Sequence, residues 1–100
     1  MDEEHIASIA RALGHPARLR ILHLLAAQDA CRGSEIFESL PLAQSTISQH
    51  LSVLRKAGLV NASPRGQRTV YCIAEGPLAD LADVLDDLIA EHPDCPGEDA

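Results

Sequence analysis

The sequence predicts a mainly α-helical chain with one small β-hairpin, in the element order α-α-α-α-β-β-α. Three observations predict it: apolar residues recur at helical spacing in several segments, two short β-prone runs flank a Pro/Gly turn, and an apolar helical stripe follows that turn. A length of 100 residues fits one domain. We expect this domain to span residues 1–92, followed by an acidic, mobile tail over residues 93–100.

The first two helices are predicted from apolar spacing and from their end signals. Ile9 and Leu13 lie on one face of a helix, and Gly14 is expected to end it. Pro16 is expected in the first turn of the next helix, where its missing N–H costs little. Five of residues 19–25 are Leu or Ile, which predicts a helix buried on most of its sides.

A short helix, a tight turn and a longer helix are predicted next. Ser34 is suited to be the N-cap of the short helix, which Pro41 is expected to close. The longer helix begins near Gln44 and is expected to end at Gly58, a favoured residue just beyond a helix end.

The C-terminal third is predicted to contain a hairpin and a last helix. Residues 59–63 and 68–73 are short β-prone runs, and residues 64–67 are the turn between them. The last helix carries an apolar stripe over residues 78–89 and is expected to end before Pro93. A helix-turn-helix followed directly by a hairpin predicts a winged helix-turn-helix fold.

The distribution of charge is uneven along the chain, whose formal net charge is −7. No Asp or Glu occurs between Ser39 and Ala74, and no Lys or Arg occurs from Glu75 onward. The acid-free window holds Arg55, Lys56, Arg65 and Arg68. Such a segment favours a polyanion locally, while the rest of the chain repels it.

The acid-free window coincides with the helix that a helix-turn-helix places in the major groove of DNA. Gln pairs with adenine, Ser and Thr hydroxyls reach bases or phosphates, and cations on a wing reach phosphates or the flanking minor groove. The predicted DNA-contacting residues are Gln44, Ser45, Thr46, Ser48, Gln49, His50, Arg55, Lys56, Arg65 and Arg68. Ile47, Leu51 and Leu54 are expected to point inward.

Three stretches, "ALGHPARLRILHLL", "PLAQSTISQHLSVLRKAGLV" and "GQRTVYCI", resemble the ArsR/SmtB family of winged-helix repressors over about residues 6–89. The resemblance implies a homodimer formed by the first and last helices and bound to double-stranded DNA at a pseudo-palindromic operator. It also implies that an effector, usually a metal or metalloid ion, releases the DNA. The chain departs from the family at Ala43, where such proteins often carry a serine cap.

The effector site is less clearly marked than the DNA-binding face. A metal site on Cys31, Cys72 and Cys95, taking As(III) or a divalent transition metal, is one prediction. The family's zinc pattern on the last helix has a histidine two residues after an aspartate. Here Ala82 stands two residues after Asp80, so the pattern is broken. The alternative is a thiol switch that responds to oxidant or persulfide, although reduced thiols are expected in the resting protein and Cys72 is expected to be a small buried hydrophobe.

Other classes of protein fit the sequence less well. The chain has no Gly-rich phosphate loop and no supported catalytic triad, so we do not expect an enzyme. No apolar run approaches the roughly 18 residues of a membrane span, and a cytoplasmic protein without membrane contact is expected. A winged-helix module that binds only proteins, with no inducer, is the remaining alternative, but it has no need to exclude every carboxylate from the window.

Overall fold

The computed structural model of the protein describes residues 2–27 and 35–92, and its elements follow the predicted order. The helices are α1 Glu3–Leu13, α2 Pro16–Ala26, α3 Glu35–Glu38, α4 Gln44–Lys56 and α5 Glu75–Glu91. The strands are β1 Val60–Arg65 and β2 Arg68–Ile73, which pair antiparallel. The mainly α fold with a two-stranded hairpin is therefore confirmed.

The first two helices begin and end where the sequence signals lie. The Asp2 carboxylate accepts the backbone N–H of Glu4 at 3.1 Å and caps α1. Gly14 follows the last residue of α1, and His15 caps α2 by accepting the N–H of Ala17 on its Nδ1 at 3.0 Å. Pro16 is the first residue of α2, as predicted.

The short helix α3 ends earlier than predicted. It covers only Glu35–Glu38, so its last residue precedes Pro41 by three positions instead of running up to it. The predicted cap, Ser34, lies outside the described residues. A helix this short depends on packing: Ile36 is buried and fixes α3 against the core.

The core consists of aliphatic side chains from α1 to α4 and from the start of the hairpin. Among the described residues no polar side chain is buried. The fully or nearly fully buried core residues are Ile9, Ala12, Ile21, Leu22, Leu25, Ile36, Leu40, Ile47, Leu51, Leu54, Leu59 and Val60. Ile47, Leu51 and Leu54 point inward as predicted and hold α4 on the domain.

Helix α4 ends in a glycine-dependent turn. Gly58 has a φ of 79°, the left-handed region that favours glycine. The N–H of Gly58 donates to the carbonyl of Arg55 and the N–H of Leu59 donates to the carbonyl of Leu54, both at 2.9 Å. These two bonds form a Schellman motif, which satisfies the carbonyls that the end of a helix leaves open.

The end of α4 and the beginning of α5 meet at one joint. The N–H of Ala74, just before α5, donates to the carbonyl of Leu59 at 2.9 Å. Pro77 of α5 lies over Gly58, so that a methyl group added there would be 3.3 Å from the Pro77 Cγ. The hairpin, residues 60–73, therefore starts and ends at the hydrogen bond between Leu59 and Ala74.

The hairpin turn is tighter than the four residues predicted for it. Pro64 and Arg65 belong to β1, and the loop consists of Gly66 and Gln67 alone. Gly66 has a φ of 65° and Gln67 a negative φ, which fits a type II′ turn with glycine in first position. Arg65 and Arg68 form the last pair of the ladder, at the tip.

The last helix packs against the first. The Nε2 of His5 on α1 lies 3.4 Å from the Oδ2 of Asp80 on α5. Leu78 and Leu81 are half-buried against the core, whereas no residue of α5 is fully buried. None of the helices in residues 2–27 and 35–92 combines the length and the apolar composition that a membrane span requires.

Candidate nucleic-acid interface

The outward face of α4 carries most of the side chains predicted to contact DNA. Those exposed are Gln44, Ser45, Ser48, Gln49, Arg55 and Lys56. Thr46 is half-buried, and its backbone N–H donates to the carbonyl of Ala43. The amphipathic pattern of α4 thus turns a small, uncharged N-terminal half and a cationic C-terminal end toward solvent.

The N-terminus of α4 is open to an anion. The side chain of Ala43 has no polar atom to cap the helix, as predicted, and the first turn contains no acidic residue. Among the described residues, the backbone N–H groups of Gln44 and Ser45 have no hydrogen-bond partner. Free N–H groups and the positive end of the helix dipole both favour a phosphate oxygen at this point.

A groove of about 370 Å³ lies between α4 and the hairpin. It brings together three predicted residues from two elements, which are Gln44 and Ser48 of α4 and Arg68 of β2. The remaining lining residues are Phe37, Gln67, Thr69 and Tyr71. Donors, acceptors and a cation therefore share one concave surface, and none of its described lining residues carries a carboxylate.

A second groove, of about 410 Å³, lies between the C-terminal half of α4 and β1. Arg55 and Lys56 line it with Ser52 and Asn61. At the hairpin tip, Arg65 and Arg68 face each other across the ladder, and like charges directly opposite one another are destabilising in isolation.

His50 lies differently from the other predicted residues of α4. It is half-buried against α2, where its Nδ1 accepts the Nε–H of Arg18 at 3.3 Å, and its ring centre is 4.5 Å from that of His15. Burial lowers the pKa of the His50 imidazole below its ordinary value of 6.5, and the charges of His15 and Arg18 lower it further. Neutral His50 therefore acts here as an acceptor that ties α4 to α2.

Sequence reasoning did not select Arg18 or Tyr71 as site residues. Tyr71 lies two positions beyond Thr69 on β2, so strand periodicity puts both on one face, a signal available in the sequence. Arg18 lies 32 residues before His50, and no local spacing connects the two.

The cysteines do not form the predicted metal set within the described part of the chain. Cys72 is half-buried on β2 and is disulfide-bonded, which differs from the reduced, buried thiol expected. A sulfur in a disulfide is not a thiolate ligand, so metal binding there would first require reduction. Cys31 and Cys95 lie outside the described residues, and no group of three metal-ligating side chains occurs in residues 2–27 and 35–92.

The chain is similar to known bacterial regulators in sequence and in structure. Residues 15–62 match the family described as "Bacterial regulatory protein, arsR family". The chain is 39% identical to the HTH-type transcriptional regulator Rv0081 of Mycobacterium tuberculosis over 84% of this chain and 74% of that protein. It is 36% identical to the biofilm growth-associated repressor of Agrobacterium fabrum over 80% of this chain and 68% of that protein.

A solved structure, an ArsR-like transcriptional regulator from Rhodococcus sp. RHA1, superposes with a TM-score of 0.75 at 28% identity, covering 88% of this chain and 82% of that one. These proteins are transcriptional regulators, which confirms the prediction that the chain is not an enzyme. With its winged helix-turn-helix and these matches, the protein belongs to the ArsR family of DNA-binding transcriptional regulators.

Proposed function

We propose that the protein is a dimeric transcriptional repressor that binds a pseudo-palindromic operator through α4 and the hairpin and acts in the cytoplasm. The observation that carries the proposal is the groove in which Gln44, Ser48 and Arg68 meet, with no carboxylate among the described residues that line it. Gln44 and Ser48 reach base edges in the major groove, and the hairpin arginines bind phosphates. Repression is further supported by the similarity to the Agrobacterium fabrum repressor.

The experiment is fluorescence anisotropy of the reduced protein on duplex DNA from its own upstream region, with scrambled duplex as competitor. We expect specific binding, and we expect Gln44→Ala to reduce the preference for the specific duplex. Asp83→Asn, at an exposed position of α5 that lines neither groove, is the control and should leave the preference unchanged. Absence of DNA binding at low salt by an intact dimer would refute the proposal and favour the protein-interaction module.

The dimer is proposed from the outer face of α5. The N-terminal part of α5 packs against α1. Its C-terminal part carries an exposed apolar stripe of Leu85, Leu88 and Ile89, whose exposed fractions are 49%, 61% and 66%. Burying these side chains in a second copy removes apolar surface from water. We expect the α4 helices of the two copies to enter successive major grooves, about 34 Å apart.

Sedimentation equilibrium tests the dimer. We expect a dimer for the wild-type protein and a monomer for Leu88→Glu, because the new carboxylate would have to be buried without a partner. Asp86→Asn, which leaves the apolar stripe intact, is the control. A wild-type monomer at concentrations that saturate DNA would contradict the dimeric arrangement.

A thiol response is the second candidate function, and the disulfide at Cys72 favours it over the metal site. Cys72 lies on the hairpin opposite Asn61, so a covalent link at this position bears directly on the wing. The step requires two thiols and a two-electron oxidant such as a peroxide. An S–S bond forms, the peroxide O–O bond breaks, and the two thiol protons and two electrons reduce the peroxide to water.

DNA affinity of the reduced protein, measured before and after stoichiometric peroxide, tests this response. We expect a change in affinity that dithiothreitol reverses and that Cys72→Ser abolishes. Release of DNA by As(III) under reducing conditions, lost in the same variant, would instead support the thiolate metal site. An unchanged affinity after peroxide would refute the thiol switch.

A further inference from the structure

A separate pocket lies where α1, α2 and α4 meet, with a volume of about 340 Å³. Each of the three helices contributes one cation to it: Arg11 from α1, Arg18 from α2 and Lys56 from α4. We call it the three-cation pocket. Its other lining residues are Ser8, Ala12, Val53 and Ala57. A hydroxyl and three cations thus share a concavity that has an otherwise apolar wall.

No acidic side chain in the described part of the chain pairs with these cations. Within the described ranges of the chain, neither Arg11, Arg18 nor Lys56 forms an ion pair with a carboxylate. Their convergence is notable in a chain with a net charge of −7, which offers many more carboxylates than cations. Three like charges brought to one pocket repel one another, and a bound anion would remove that repulsion.

Arg18 is held in a fixed orientation with part of its guanidinium unused. Its Nη1 donates to the carbonyls of Arg11 and Ala12 at 3.2 and 3.3 Å, and its Nε donates to His50 Nδ1 at 3.3 Å. A guanidinium has five N–H donors, and these bonds use three of them. The two N–H donors of Nη2 have no partner among the described residues, so a preoriented donor pair remains for an oxyanion.

We propose that the three-cation pocket binds a phosphate group. A guanidinium matches the geometry of phosphate oxygens, and Arg11 of α1 and Lys56 of α4 add positive charge to the same pocket. Two sources carry this chemistry: a free phosphate-bearing small molecule, and a backbone phosphate of the DNA. The second source rests on the proposed DNA-binding function, whereas the first does not.

Occupancy of the pocket bears on the recognition helix through one contact. The Arg18 guanidinium that faces the pocket also holds His50, whose neighbour in α4 is the exposed Gln49. A phosphate that engages the Nη2 of Arg18 therefore acts on the same group that ties α4 to α2. The site is placed to couple anion binding to the position of α4.

The first arm of the test uses the full chain without DNA. Inorganic phosphate is titrated at constant ionic strength against chloride, and the backbone amide signals of Ser8, Ala12 and Ala57 are followed by ¹⁵N NMR. We expect saturable shifts, and we expect Arg11→Gln to weaken binding at least about tenfold. Arg20→Gln is the matched control, because it removes the same charge from α2 outside the pocket.

The second arm measures the salt dependence of DNA binding for Arg11→Gln and Arg11→Lys. If a DNA phosphate occupies the pocket, the Gln variant flattens the slope of log affinity against log salt by about 0.9, and the Lys variant does not. Saturable phosphate shifts assign the pocket to a free anion, and a flattened slope alone assigns it to DNA. Neither effect, in variants whose ¹⁵N spectra remain dispersed, overturns the proposal. If the wild-type protein binds no DNA, the proposed function fails and the first arm alone decides.

Discussion

Removing both charges from the hairpin tip is the sharpest test of how the wing contributes to DNA binding. Arg65 and Arg68 are exposed and face each other as the last pair of the ladder, so one phosphate contact is expected from each. Each lost contact flattens the slope of log affinity against log salt by about 0.9, and the loss of two flattens it by about 1.8. Between about 50 and 200 mM salt, the variant with Arg65→Gln and Arg68→Gln should therefore lose about 12-fold less affinity than the wild type.

The assay is fluorescence anisotropy across a salt series, on the specific duplex and on a scrambled one. Affinity at low salt should fall on both duplexes alike, because phosphate contacts carry no sequence information. The matched control replaces both arginines by lysine, which retains the charge at the tip and should retain the slope. A slope change of less than about 0.5 in the glutamine variant, with normal hairpin folding, would refute the assignment of the wing to phosphates.

Four further predictions concern the supports of the interface. Leu51→Ala, at a 2% exposed position that anchors α4, should lower the free energy of unfolding by about 2–5 kcal/mol in urea titrations. Gly66→Ala should lower the free energy of unfolding by about 1–2 kcal/mol, because alanine is strained at a φ of 65°. The space around Gly66 is open, so no steric clash adds to this loss. Gly58→Ala should cost more than Gly66→Ala in the same titrations, since the added methyl group also lies 3.3 Å from a proline side chain, and equal costs would contradict the close approach. The pKa of His50 is lowered from 6.5 on folding, so the unfolded chain binds more protons below that pH. The His50 contribution to stability should accordingly be complete above about pH 6.5 and be lost as the pH falls toward the folded-state pKa, a dependence that His50→Gln should reduce in pH-resolved melting.

The parts of the fold that depend on local spacing were predictable from the sequence. The end of α1 at Gly14, the beginning of α2 at Pro16 and the turn at Gly58 each follow from what one residue does to the backbone. The length of the hairpin turn was overestimated, because Pro64 and Arg65 resemble turn residues but fit an edge strand that has no second neighbour among the described residues.

The site was predictable only where charge and periodicity decide it. The face of α4 and the arginines at the hairpin tip follow from the acid-free window and the helical pattern. The inward position of His50 was not predictable, because its partner Arg18 is brought to it by the packing of α2 against α4. The disulfide at Cys72 was not predictable either, because three cysteines allow several pairings and their spacing in the sequence does not favour one of them.

The joint between α4 and α5 divides the molecule into parts that tolerate change differently. The Leu59–Ala74 hydrogen bond and the approach of Pro77 to Gly58 fix where one helix stops and the next starts. The hairpin is a side branch on this joint, so residues inserted at its tip would lengthen the wing without moving either helix. Residues inserted at the joint itself would change the angle between the helix that reads DNA and the helix proposed to pair with a second copy. We therefore expect the reach of the wing to vary readily among related chains, and the spacing of the two operator half-sites to be constrained.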